Sequence, residues 1–243
     1  MRYIITALTL LLVLPFQAMA EEGNGNHWSG ETDIGYVKKT GNTESETLTA
    51  RQKLVYEADR WVNTLVLNAS NTESGERRTG ERYYVTDQLD YFITEKTYAF
   101  GRGSWEKDRF TGFDYQSTWV LGFGRKLFNT DSFTLTGELG AGQSIDKIRH
   151  KPPEVEGDRD TDAMLYFSED LSWAFSQTAE LGQELTVERS SKQTISRFDI
   201  YLRSALVGNV SMRVAYSLRH NTDVPENIKR TDETVTVSLN YRF

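Results

Sequence analysis

Apolar and polar residues alternate along most of this chain, and the last stretch shows it most plainly. Val235, Val237, Leu239, Tyr241 and Phe243 occupy every second position, with Thr234, Thr236, Ser238, Asn240 and Arg242 between them. A period of two puts the two sets on opposite faces of a strand. One face suits lipid and the other water. In a bilayer such a strand is tenable only in a closed sheet, where every backbone N–H and C=O pairs inside the protein.

The alternation recurs in about twelve segments, each near the roughly 9–11 residues that cross a membrane at a tilt. It predicts strands over Trp28–Lys38, Ser45–Tyr56, Trp61–Ser70, Glu81–Phe92, Thr97–Lys107 and Tyr115–Phe128. Further strands follow over Ser132–Gly142, Ala163–Ala174, Ala179–Arg189, Gln193–Leu206 and Ser211–His220, before the terminal one. Polar loops are expected over Asn71–Gly80 and, longest of all, Gln143–Asp162, which holds Pro152 and Pro153. The even-numbered connections are short (Glu57–Arg60, Thr94–Lys96, Asn129–Asp131, Ser176–Thr178, Gly208–Asn209) and the odd ones mostly longer and charged. Short periplasmic turns alternating with longer outer loops is the habit of a membrane barrel. The predicted fold is all-β: a transmembrane antiparallel up-and-down β-barrel of about twelve strands.

The aromatics sharpen this picture. Trp28, Trp61, Phe92, Tyr98, Phe128, Phe133, Trp173, Phe175 and Phe243 lie beside the chain ends or short turns, as one interfacial girdle would. Tyr36, Tyr83, Tyr84, Phe110, Phe113, Tyr115 and Tyr166 lie near the long loops and would make the other. Three charges break the alternation. Asp87 is in register with Val85 and Leu89, Glu169 with Phe167 and Leu171, and Arg102 with Phe100. A lipid-facing charge is costly at the midplane, so these positions call for a bulge, an interfacial depth or different strand limits.

Composition matters at three points. Arg2, the apolar run Ile4–Leu14 and Ala18-Met19-Ala20 form an export signal, with cleavage expected after Ala20 and the barrel over 21–243. There is no Cys, which removes disulfides and thiolate sites. The net charge of −7 gives no basic footprint for nucleic acid. Mean hydropathy is −0.55, which would suggest a soluble protein had the alternation not already explained the cancellation.

Candidate chemistry is sparse. His27, His150 and His220 have no metal-ligand spacing. Ser217 and His220, three apart on one strand, point to opposite faces and do not make a nucleophile–base pair. No nucleophile elbow, phosphate loop or cofactor motif is present, so the expectation is a non-enzyme without cofactor or metal. The run Asp158–Asp162 could hold a divalent cation but lacks the order of a calcium loop, and a solvated loop is the plainer reading. The interior is richer. Arg51, Lys53, Lys126, Glu180, Glu184, Glu188, Arg197, Asp199, Arg203, Arg213, Arg219 and Arg242 all fall on the polar face. They either pair across the lumen and close it or line a narrow, charge-selective channel. Alternation alone does not place these rows relative to one another.

Several short motifs keep their order along the mature chain: Gly41-Asn42-Thr43, Trp105 through Asp108-Arg109-Phe110, Gly122-Phe123-Gly124 with Leu127, Leu139-Gly140-Ala141-Gly142, and Pro225, Asp232-Glu233-Thr234 and Leu239-Asn240-Tyr241-Arg242-Phe243. In these the chain resembles the YdiY-like family of salt-induced outer-membrane proteins, a domain family of unknown function. The resemblance implies a location, the cell outer membrane, and a fold; it brings no activity and no catalytic residues. The terminal strand (Val235, Val237, Leu239, Tyr241, Phe243) is similar to the signal that the barrel-assembly machinery reads. Partners expected are that machinery, outer-membrane lipid and lipopolysaccharide, and no nucleic acid. The functional expectation is a narrow passive channel for ions or small charged solutes, or an envelope-integrity protein. An outer-leaflet lipid-modifying enzyme and a receptor or adhesin using the 143–162 loop are the alternatives.

Overall fold

A computed structural model describes residues 27–39, 45–75, 77–110, 113–148, 159–224 and 229–243. The expected export signal, His150, Asp158 and the prolines of the long loops lie outside the described residues. Twelve antiparallel strands follow one another: β1 (Trp28–Lys39), β2 (Ser45–Ala58), β3 (Trp61–Ser74), β4 (Arg77–Phe92), β5 (Thr97–Asp108), β6 (Phe113–Asn129), β7 (Phe133–Ile148), β8 (Arg159–Trp173), β9 (Ala179–Ser190), β10 (Thr194–Val207), β11 (Val210–Asn221) and β12 (Thr231–Arg242). Each pairs with its neighbours in sequence, and β12 returns to β1, so the sheet is a closed barrel.

The exterior is what the alternation predicts. Leu121, Phe123, Leu139 and Val235 stand 75, 64, 67 and 62 % exposed, a surface for which hydrocarbon is the natural solvent. At the short-turn end, hereafter the inner end, outward aromatics pack in pairs. Trp28 meets Tyr56 and Trp61 meets Tyr91, each at 4.8 Å between ring centroids; Trp173 meets Phe175 at 5.6 Å. This inner girdle lacks two expected members. Phe92 and Tyr98 point into the barrel, and at the outer end so do Tyr84 and Tyr166.

Closure depends on a close approach at the inner end. Gly30 and Phe243 exchange both backbone hydrogen bonds at 3.0 Å. The Phe243 ring lies over Gly30, where a Cβ would sit 2.7 Å from the ring and 2.7 Å from the Lys53 carbonyl oxygen. A side chain at this position would push the last residue off the seam.

Two expected loops are shorter than the sequence suggested. β3 and β4 stay paired to Ser74↔Arg77 around Gly75 (φ +62°), so nearly all of 71–80 is ladder. β7 and β8 stay paired to Lys147↔Arg159, so 143–148 and 159–162 of the expected loop are strand. Polar composition reported where these strands leave the lipid, not where they end: outside the bilayer a polar residue pairs its backbone equally well.

The three irregular charges resolve differently. Arg102 faces the interior together with Phe100 and Tyr98, so the aromatics rather than the arginine depart from the expected pattern. Asp87 and Glu169 do face outward, with no register shift at either. Asn63 Nδ2 donates to Asp87 Oδ1 at 2.8 Å, a polar pair on the lipid side of β3 and β4.

Two predictions follow from this exterior. Gly30→Leu should block closure, seen as loss of the heat-modifiable compact band on electrophoresis. Asp87→Leu should raise folding stability in lipid vesicles by about 1 kcal/mol, the scale expected for a carboxylate removed from a lipid-facing site; urea titration measures it.

Candidate functional site

The barrel interior is divided. Against β5–β8 lies an apolar block of Tyr98, Phe100, Val120, Met164 and Tyr166, all 2–4 % exposed, with Phe92 packed on it. The neighbouring strands make room for it. Gly122, Gly124 and Gly140 present bare backbone to the lumen; a Cβ at Gly122 would sit 2.6 Å from the Phe100 ring, and one at Gly124 2.2 Å from the Tyr98 ring. Rings can therefore lie flat on this wall. The polar edge of the block is tied to Glu138, which accepts from Tyr98 Oη (2.6 Å), Gln88 Nε2 (2.8 Å) and Tyr166 Oη (3.4 Å).

The opposite part of the interior is ionic and has two levels. In the outer half, Glu106 receives Arg82 (3.1 Å), Arg197 (3.0 Å) and Arg219 (3.4 Å). Glu188 receives Arg197 at 2.6 Å and Arg102 at 3.5 Å. The Tyr84 ring carries Arg197 on its face at 5.2 Å. β5 and β11 are diametrically opposite in the ring of strands, so the Glu106–Arg219 contact spans the lumen.

Toward the inner end, Glu31 receives Arg51 (2.6 Å) and Arg203 (3.1 Å), and Glu180 receives Arg242 (2.8 Å) and Arg203 (3.4 Å). Asp33 accepts from Asn240 Nδ2 at 3.0 Å and stands 3.8 and 3.9 Å from Arg51 and Arg213. Arg51 also reaches Glu184 at 3.2 Å, a second bridge between nearly opposite strands. The buried guanidinium groups belong to networks in which every carboxylate but Glu184 serves two or more arginines. Such groups are costly to bury alone and tolerable only when paired in this way.

Between the levels is a cavity of about 320 Å³. Its residues run from mid-barrel (Asp33, Arg51, Glu184, Arg213, Ser238) to the outer strand ends (Arg82, Arg219, Asp232, Thr234). Arginines outnumber carboxylates on its wall: Arg51, Arg82, Arg102, Arg197, Arg213 and Arg219 against Asp33, Glu184, Asp199 and Asp232. The buried Nε–H groups of Arg197, Arg213 and Arg219 have no protein acceptor among the described residues.

The twelve interior candidates named from the sequence are placed as follows. Arg51, Glu180, Glu184, Glu188, Arg197, Arg203, Arg213, Arg219 and Arg242 enter the networks above. Asp199 accepts from the Ser217 hydroxyl, and Lys126 lies 4.9 Å from the Phe92 ring centroid. Lys53 adjoins Glu31 in the β1–β2 ladder. Sequence reasoning missed Glu31, Asp33, Arg82, Tyr84, Arg102, Glu106 and Glu138. Glu31 and Asp33 were legible as the alternate face of Trp28–Tyr36. Arg102 and Glu106 were hidden by the assumption that Phe100 faces lipid. His220 faces outward, its Nδ1 2.8 Å from the Thr231 hydroxyl, while Ser217 faces inward. Asp160 and Asp162 are held by Lys192, with Asp162 at 3.6 Å. The terminal residues Val235, Val237 and Leu239 are exposed on the lipid side, where Tyr241 stacks against Phe243 at 6.1 Å.

Solved structures with this architecture include the NanC porin (8 % identical, 88 % of this chain and 100 % of that one, TM-score 0.52) and an outer-membrane channel from Pseudomonas putida F1 (10 %, 92 % and 100 %, TM-score 0.51). The translocator domain of the autotransporter NalP from Neisseria meningitidis is also similar (14 %, 98 % and 97 %, TM-score 0.50). At these identities the likeness is one of fold, that of outer-membrane β-barrels. In sequence, the chain is 28 % identical over 215 residues to protein YdiY of Escherichia coli (strain K12), covering 88 % of this chain and 82 % of that protein. Residues 32–243 match the profile of the family described as "Protein of unknown function, DUF481", and the chain belongs to that family.

Proposed function

We propose that this barrel is a narrow passage for small anionic solutes across the outer membrane, with its lumen pinched by arginine–carboxylate bridges. The observation that carries the reading is the cavity wall, where six arginines face four carboxylates in a space of about 320 Å³. Glu106, Glu188 and Glu31 stand behind these arginines as their partners, and an anion entering the space could take a carboxylate's place on a guanidinium group, as a cation could not. The unpartnered Nε–H donors of Arg197, Arg213 and Arg219 support this, because a buried donor left unpaired favours an acceptor that can reach it. The neighbours are described as a porin and a channel, which fits a conducting role. The resemblance to salt-induced proteins fits traffic in ions. On this reading the protein acts without chemistry of its own.

The bridges make the passage narrow and give it a handle. Reconstituted into planar bilayers, the purified barrel should give small discrete steps carried more by chloride than by potassium. A folded but silent barrel, or a cation preference, overturns the reading. Glu106→Gln removes the charge that Arg82, Arg197 and Arg219 share. Step size and chloride preference should both rise, by about twofold. The same change should lower stability by about 3 kcal/mol, the scale for breaking a buried ion pair from one side; urea titration in vesicles tests this part.

A further inference from the structure

The wall is not closed to the same height all round. β1 and β12 pair from Glu31↔Arg242 to Gly35↔Ser238. In the same register Tyr36 would next oppose Val237, then Val37 Thr236, Lys38 Val235 and Lys39 Thr234. None of these pairs forms among the described residues. Both strands nevertheless continue. β1 stays on β2 as far as Lys39↔Ser45, and β12 stays on β11 as far as Thr231↔His220. Above Gly35 the wall therefore splits, with the β1–β2 hairpin on one side and β11–β12 on the other.

Exposure follows the split. Tyr36 and Val37 are consecutive and should face opposite sides, yet they are 55 and 41 % exposed. A tilted strand climbs about 2.5 Å per residue, so Tyr36 stands about 15 Å above Gly30, within an apolar band about 25 Å tall. Free backbone edges at that depth are tolerated only where they meet water or a ligand's polar groups.

The cavity lies just inside this seam. Asp33 and Thr49 line it from one flank, and Thr234, Thr236 and Ser238 from the other. Thr49 Oγ1 donates to the Gly35 carbonyl at 3.4 Å, across a position with no side chain. A Cβ on Gly35 would stand 2.5 Å from Thr49 Oγ1 and 2.9 Å from Thr236 Cγ2. Arg213, whose ladder partner is Ser238 at the last closed rung, lies just inside.

We propose that the split is a lateral portal joining the cavity to the outer leaflet, and that it takes a single-chain amphiphile with an anionic head. The head sits against Arg213 and the arginines beyond it. The chain leaves between Tyr36 and Val237 into lipid, and the free edges of β1 and β12 bond to water or to the head. The portal is separate from the axial passage proposed above, since it opens through the side of the barrel.

The absence of cysteine allows a direct test on the full mature chain in phosphatidylcholine vesicles. In the pair Tyr36→Cys, Val237→Cys, oxidation joins the strands at the first missing rung. Dansyl-undecanoate should bind the reduced protein saturably and the oxidised protein at least about tenfold more weakly, with recovery on reduction, a difference of about 1.4 kcal/mol. Arg213→Gln should weaken the carboxylate probe but not its uncharged alcohol counterpart. Chloride conductance should persist in the oxidised form, so loss of the portal and failure of the axial reading are told apart. Equal binding before and after oxidation overturns the proposal, as does equal affinity for the alcohol. Crosslinking into dimers through these cysteines would mean that a second copy fills the gap, and also overturns it. Should the pair fail to fold, hydrogen exchange on the unaltered barrel decides: fast exchange at 36–39 supports the portal, and protection like that of Glu31–Gly35 overturns it.

Discussion

The constraint on which this structure depends is that lipid offers no hydrogen bonds. A strand in hydrocarbon must find backbone partners along both edges, and a sheet meets that demand only by returning to its own first strand. Here the return is made by β12 onto β1, through a short ladder that ends inward on Gly30 and Phe243. The residue identities at that meeting follow from geometry. A ring over bare backbone lets two chain segments approach closely, and the same ring belongs to the interfacial belt. The alternating exterior and the aromatic belts presuppose this closure.

Closing the sheet creates a second problem inside. A ring of this size encloses more space than small side chains fill, and this chain fills it in two ways. Along β5–β8 the wall is built with glycines, and rings of Tyr98 and Phe100 lie down on it. Around the rest, long arginines reach across to carboxylates on distant strands, as Arg51 does to Glu184 and Arg219 to Glu106. Ionic bridging suits a lumen that must stay wet: a guanidinium released from one carboxylate finds water or another acceptor, whereas a displaced aromatic leaves a hole. On the proposed reading, the conducting side is the arginine side and the aromatic block a fixed wall.

The sequence made the fold legible because alternation is local. Strand type, number and most limits follow from residues two apart, and Gly208 or Asp59 at a tight turn needs only its own φ. Strand ends toward the outside were misread for a physical reason: polar residues at 71–80 and 143–162 mark departure from lipid, while the backbone ladder continues into water. The interior was legible only by halves. Alternation assigned Arg197 and Glu188 to the lumen but carried no information on which pairs meet, since partners come from strands far apart in the chain. Phe100 shows the limit most clearly. Its direction is decided by Gly122 and Gly140 on the next two strands, which admit a ring where any side chain would exclude it. No pattern within β5 alone separates a lipid-facing phenylalanine from one that lies inward.

The same reasoning bears on the uneven seam. A barrel that needed only to be sealed could have zipped β1 to β12 to the outer rim, because both strands continue and Val235 and Val237 suit lipid there. The ladder stops instead at Gly35, the one position where a side chain would strike Thr49 and Thr236. Beyond it, inward-facing Thr234 and Thr236 keep hydroxyl groups beside the free edge, and these can hold water at a depth where a bare edge would be costly. Small and hydroxylated residues on the lumen side and apolar residues on the lipid side are what a wet opening through an oily wall requires. The arrangement places Arg213 and Asp33, a pair at 3.9 Å, at the foot of the opening, where the last complete rung meets the cavity.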